Sequence, residues 1–204
     1  PSLIRTVPRI LTHGLTNVNI LDLAPEDNTV PRFANFVDFI PRFSTSCAQL
    51  IEGVSKDEDP SHTVAWTIIG SPLATVAMPL VLLPNDKLPE TVGRGTTGGS
   101  TLCRYGLKLK ERLFPLRTKT RSSYIDVAQL VNRKGNGILQ LIKPIEDELM
   151  NKGTALVNDL RNEKEGNKKE GNKKDVYKAF ADYYSWADGV IKEQYEKIIL
   201  KVKR

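Results

Sequence analysis

An arginine, three hydroxyls and a thiol stand within one short run, at Arg42, Ser44, Thr45, Ser46 and Cys47. A guanidinium holds a carboxylate or a thiolate through charge-assisted hydrogen bonds, and a hydroxyl orients an amine or passes a proton. A thiol becomes a nucleophile when a base stands within reach. The histidines are His13 and His62, and nothing in the sequence pairs either with Cys47 or Cys103. Two isolated thiols match neither a disulfide framework nor a zinc spacing, and most such cysteines are small core hydrophobes. The same hydroxyls also bridge to neighbouring backbone at turns and strand edges. Site and scaffold are both open readings of this cluster.

The cluster opens a strand. Residues Ser44 to Val54 follow Pro41-Arg42 and close at Gly53, and Ser55 to Ser61 form a polar, proline-containing turn. Thr63 to Gly70 is rich in β-branched and aromatic residues and stops at Gly70-Ser71-Pro72. These two segments are expected to be adjacent antiparallel strands in the interior of a sandwich, with Val76 to Leu83 as a third apolar run. Trp66 belongs to the core rather than to a pocket wall on this reading.

The remainder changes character along the chain. Residues 1–95 read as mostly β with a short helix near Ile4 to His13, and residues 96–204 as helical. The run Gly95 to Thr101 lacks the lysine and spacing of a phosphate loop, and it ends in a helix N-cap at Ser100 or Thr101. Leu102, Leu107, Leu109, Leu113 and Phe114 then predict a helix that stops before Pro115. Ser123 to Val131 reads as a short helix or strand, and Asn132 to Gly137 as a turn with two glycines for positive φ. Ile138 to about Leu160 is helical, with Pro144 marking a start or kink. A last helix, Val176 to about Val202, carries Phe180, Tyr183, Tyr184, Ile191 and Tyr195 as a core stripe. Strands first and helices last, without βαβ alternation, give an α+β class with antiparallel strands, and the length allows one domain or a domain with an appendage.

Composition limits the partners. The chain of 204 residues is 40% hydrophobic and 26% charged, ordinary for a globular protein. No apolar run approaches the roughly 20 residues of a membrane span; the longest, Val76 to Leu83, is interrupted by Pro79. Residues 1–100 hold 7 Lys and Arg against 10 Asp and Glu, a net −3, while residues 101–204 hold 23 against 14, a net +9. Much of that excess lies in a tandem EGNKK, read as part of a mobile loop at about 162–175. Lys and Glu alternate there without aromatic residues to stack on bases, so no nucleic-acid partner is expected. The chain opens with Pro1 and no basic-then-apolar leader, which reads as a processed product of a longer precursor. The compartment stays open, an exported or periplasmic one included.

Several blocks carry a resemblance. These are D-F-I-P-R-F-S-T-S-C-A at 38–48, I-E-G-V at 51–54, T-V-A-W-T-I-I-G-S-P-L at 63–73 and V-A-M-P-L at 76–80. Downstream, L-F-P at 113–115 precedes Y-I-D-V-A-Q-L-V-N-R-K-G-N-G-I-L-Q-L-I-K-P-I-E at 124–146. Together, over roughly residues 10–160, they resemble the C-terminal part of N-terminal-nucleophile hydrolases. The group is that of the acyl-coenzyme A:6-aminopenicillanic acid acyltransferases and linear-amide C–N hydrolases, related to choloylglycine hydrolases. The resemblance implies an αββα sandwich of two antiparallel sheets with outer helices. It also implies a cysteine freed by autoproteolysis as the first residue of a chain, its own α-amino group serving as base. Amide bonds of small acylated amines or amino acids are then cleaved or formed, without metal or other cofactor. Pro1 offers no nucleophile, so the resemblance implies one on an upstream segment or partner chain of the same precursor. Arg42, Thr45 and Ser46 fit the supporting polar strand entry, and an oligomer fits as well. The alternative is a non-enzymatic binding or structural relative without the nucleophile.

Overall fold

The computed structural model describes residues 24–37, 41–56, 60–83, 87–95, 98–116, 123–162 and 170–202. The short helix expected near Ile4 to His13 lies outside these residues. Among them the molecule is α+β, with two small antiparallel sheets and a helical C-terminal half. Strand β1 (Phe33–Asn35) pairs with β5 (Tyr124–Asp126), placing Phe33 opposite Asp126. The larger sheet orders β2 (Cys47–Glu52), β3 (Val64–Ile69) and β4 (Ala77–Val81) side by side, all antiparallel.

Register follows from one bond beyond the strands. The Gly70 N–H donates to the Ser46 carbonyl at 2.9 Å, and Cys47 stands opposite Ile69, Glu52 opposite Val64. By antiparallel alternation, Ala48, Leu50 and Glu52 turn their N–H and C=O groups toward β3, whereas Cys47, Gln49 and Ile51 turn theirs away. The same alternation makes Met78 and Leu80 bond to β3 and leaves Ala77, Pro79 and Val81 facing outward. Pro79 therefore sits where no N–H is needed. The outward Val81 N–H donates to the Tyr184 hydroxyl at 2.9 Å.

The two expected strands are adjacent and antiparallel, but β2 is an edge strand among the described residues, not an interior one. Its side chains explain the placement. Cys47, Gln49 and Ile51 are exposed and only Ala48, Leu50 and Glu52 are half-buried, whereas Val64, Trp66, Thr67 and Ile68 of β3 are all buried. A continuous apolar run can be covered on both faces; an alternating one can bury only one.

Helix α1 (Thr101–Leu113) begins where Ser100 Oγ accepts the Cys103 N–H at 2.9 Å, and stops before Pro115. Leu102, Leu109 and Leu113 are buried, while Leu107 lies on the exposed side. Ser123–Val131 proves to be both things expected of it, β5 followed by the short helix α2 (Val127–Leu130). Asp126 Oδ1 joins them, accepting the N–H groups of Ala128 and Arg32 at 3.0 Å each. In the following turn only Gly135 takes positive φ, 73°. Gly137 is needed for closeness instead, because a Cβ there would meet the Leu130 carbonyl oxygen at 2.5 Å.

Helix α3 (Ile138–Asn162) runs through Pro144, which lies on the exposed side where water can take the unbonded carbonyl. Its Gly153 faces β4 closely enough that a Cβ would meet the Pro79 ring at 2.6 Å. Helix α4 (Glu170–Val202) starts earlier than the periodicity predicts. Its first turns take up Glu170 to Asp175, which the low-complexity reading assigns to a mobile loop. Lys and Glu are good helix formers, and extending a helix already anchored by Phe180 and Tyr184 costs little. The rest of that loop, 163–169, lies outside the described residues. No helix among the described residues is long and apolar enough to cross a membrane.

Candidate functional site

Phe43 anchors the strand entry. Its ring meets Phe114 edge-on at 5.5 Å between centroids, and the Lys110 ammonium sits 4.5 Å above it. The turn around this anchor is closed twice, since the Thr45 N–H donates to the Arg42 carbonyl and Thr45 Oγ1 accepts the Arg42 N–H, both at 3.1 Å. The Thr45 hydroxyl thus holds backbone, as the scaffold reading of the cluster has it. Arg42, Ser44, Ser46 and Cys47 are exposed. The Arg42 guanidinium and the Ser46 hydroxyl make no hydrogen bond to each other among the described residues. Among the described residues, both side chains are exposed to solvent without a hydrogen-bond partner.

Among the described residues, no histidine stands beside the thiol at this end of the sheet. Cys47 stands opposite Ile69 at one end of the β2–β3 pair. His62 is buried in a 3-10 turn (Pro60–His62) just before β3 begins at the other end. The six residues of β3 separate the two ends, roughly 20 Å. His13 lies outside the described residues. Cys103, on α1, is also exposed and free; its Cα lies 3.5 Å from where a Cβ on Gly70 would sit. Gly70 has φ 96°, so the backbone can turn there between Ser46 and the start of α1. Among the described residues, no group of three or more His, Cys, Asp or Glu is placed to hold a metal ion.

Two polar constellations went unread in the sequence. Glu52, at the far end of β2, accepts the Trp66 indole N–H at 2.9 Å and an Arg161 N–H at 2.6 Å. Partial burial works to raise its carboxyl, but these two donors outweigh it and hold the group below the ordinary carboxylate value. Trp66 is thereby a core residue with its one polar atom satisfied. Asp188, buried on α4, accepts the Glu90 N–H (2.7 Å), the Thr91 N–H (2.8 Å) and the Thr91 hydroxyl (2.5 Å). A signal for it existed: Tyr184, Asp188, Ile191 and Tyr195 follow helical spacing, so a carboxylate stands within an apolar stripe. Both constellations are satisfied internally and join segments far apart in sequence. Their geometry is that of tethers.

No family model matches this chain, and neither a curated protein nor a solved structure matches it.

Proposed function

We propose that this chain is the C-terminal part of an amide (C–N) hydrolase or acyltransferase. Its cysteine nucleophile stands on an upstream segment or partner chain of the same precursor, and its substrate is a small acylated amine or amino acid. In this reading the described sheets are part of an αββα sandwich completed by that upstream part. The observation that carries the reading is the strand entry. Phe43 and the Thr45 hydroxyl are committed to holding the turn, while the Arg42 and Ser46 side chains are exposed and have no hydrogen-bond partner among the described residues. Arg42 would hold a substrate carboxylate or the incoming thiolate, and Ser46 would orient the α-amino base. Thr45 acts as a positioning residue for Arg42.

The test is made on the full-length precursor. Cys47→Ala leaves turnover and labelling by a thiol-reactive acyl probe intact, whereas Arg42→Ala and Ser46→Ala each lower kcat/KM by at least about tenfold. If Cys47→Ala alone abolishes labelling, the nucleophile is in this chain; if all three variants turn over normally, the site lies elsewhere. Intact mass and N-terminal sequencing of co-purifying material give a second readout, a chain beginning with Cys being expected.

One observation favours a non-enzymatic binding or structural module instead. Cys47, Gln49 and Ile51 offer an open strand edge, a feature that binds polypeptide by main-chain pairing and needs no catalyst. A lone 22.8 kDa species, inactive on acylated amines yet folded, would fit that reading.

A further inference from the structure

We infer that β2 is the interface through which two copies of this chain associate, strand against antiparallel strand across a two-fold axis at Gln49. This goes beyond the reading above and does not depend on it.

The inference starts from the contrast between the two edges. Natural sheets block their edges with proline, with charged side chains or with a covering helix. The β4 edge has Pro79, the Tyr184 hydroxyl on the Val81 N–H, and α3 packed close at Gly153. At Cys47, Gln49 and Ile51 the β2 edge has none of these among the described residues. The outward N–H and C=O groups of Cys47, Gln49 and Ile51 have no partner among the described residues, none of the three is charged, and Ile51 is 65% exposed.

What β2 fits is itself. An isologous interface requires every residue to meet its counterpart in both directions. With Gln49 facing Gln49 across the axis, Cys47 meets Ile51 and Ile51 meets Cys47. The three outward residues of each copy then form about six main-chain hydrogen bonds. On the other face Ala48 meets Leu50, joining half-buried apolar side chains that already pack against the core. Small stands against large on both faces. The only charged residue of the strand, Glu52, falls opposite Ser46 and is already held by Trp66 and Arg161, so no like charges oppose each other. One short strand pair is a small interface, so the dimer is weak and concentration-dependent.

The experiment is sedimentation equilibrium on the full chain over a dilution series, with two kinds of variant. Gln49→Lys and Gln49→Glu each place like charges face to face at the axis and are expected to raise the dimer dissociation constant by about fivefold or more. The loss in Gln49→Glu should disappear below about pH 4, where the carboxyls become neutral; a folding defect would not be relieved. Ile51→Cys in a Cys103→Ala background should form a disulfide-linked dimer through Cys47. Directly opposed residues lie about 5.5 Å apart between Cα atoms, whereas positions 47 and 51 of one strand lie about 13 Å apart and cannot bridge. A chain that stays monomeric, a dimer indifferent to both Gln49 variants, or a disulfide that captures a foreign polypeptide instead would each overturn the inference.

Discussion

Along the β4 side of the sheet, residues from far along the chain close over the strand and the segment beyond it. Tyr184 takes the Val81 N–H, Gly153 lets α3 come down onto Pro79, and Asp188 ties Glu90 and Thr91 to α4. Along the β2 side the long-range hydrogen bond seen at the strand among the described residues is Arg161 on Glu52, at the end remote from Arg42 and Ser46. Burial follows the same gradient, from the alternating exposure of β2 to the nearly complete burial of β4. Stability is concentrated where the helices pack. The chemistry and association proposed above fall on the side with fewer such ties among the described residues.

The largest effect expected on this contrast comes from Asp188→Ala. It leaves two N–H groups and a hydroxyl without their acceptor in a buried setting, a loss of about 3 kcal/mol, read as a lower urea midpoint with an unchanged slope. Asp188→Asn, which keeps one acceptor oxygen, should fall between. If Asp188→Ala proves neutral, the β4 side is not held as described.

A smaller loss is expected from Tyr184→Phe, which removes the acceptor of the Val81 N–H, about 1.5 kcal/mol. The same tyrosine links the closed side to pH. Burial, partly offset by the Val81 hydrogen bond, pushes its hydroxyl from 10.0 up to about 12, and burial also raises Tyr183 and Tyr195. A raised value means that the folded state resists ionisation. The stability is complete below pH 10 and drains away as pH rises through the folded value. Thermal unfolding followed together with tyrosinate absorbance should show unfolding and ionisation arriving together above pH 10. Ionisation of all the tyrosines at their ordinary value in the folded protein would contradict this.

Least of all should happen on the open side. Ser46→Ala and Ile51→Thr are expected to shift stability of the monomer by no more than about 0.5 kcal/mol, measured at concentrations below dimerisation. A loss of more than about 1 kcal/mol in either would mean that the β2 side is structural, and the comparison would lose its force.

Part of this was legible in advance. Turn chemistry and alternation place β2 beside β3, and Ser100 with Pro115 brackets α1, because those signals act over a few residues. Pro79 was read only as an interruption of an apolar run. Its position among the outward-facing residues of an edge strand depends on the β3–β4 register. At the strand entry, Arg42 and Ser46 could be named from residue type, but not the fate of the Thr45 hydroxyl, which either reading allowed until the turn was seen to close on it. Glu52 and Asp188 were passed over because lone carboxylates in a strand and a helix look like solvated charges. Their partners lie 109 and 97–98 residues away.

By itself the sequence determined the α+β class, the neighbouring antiparallel strands, a helix capped at Ser100 or Thr101 and the charge contrast between the two halves. All of these follow from short-range patterning, where a side chain's type sets its local conformation or its face. Tertiary structure alone decided which edge of the sheet is covered, which hydroxyl is used for backbone, and how far α4 extends toward Glu170. Those outcomes turn on groups brought together across about a hundred residues, and no local preference records which distant donor will meet which acceptor once the helices settle on β4.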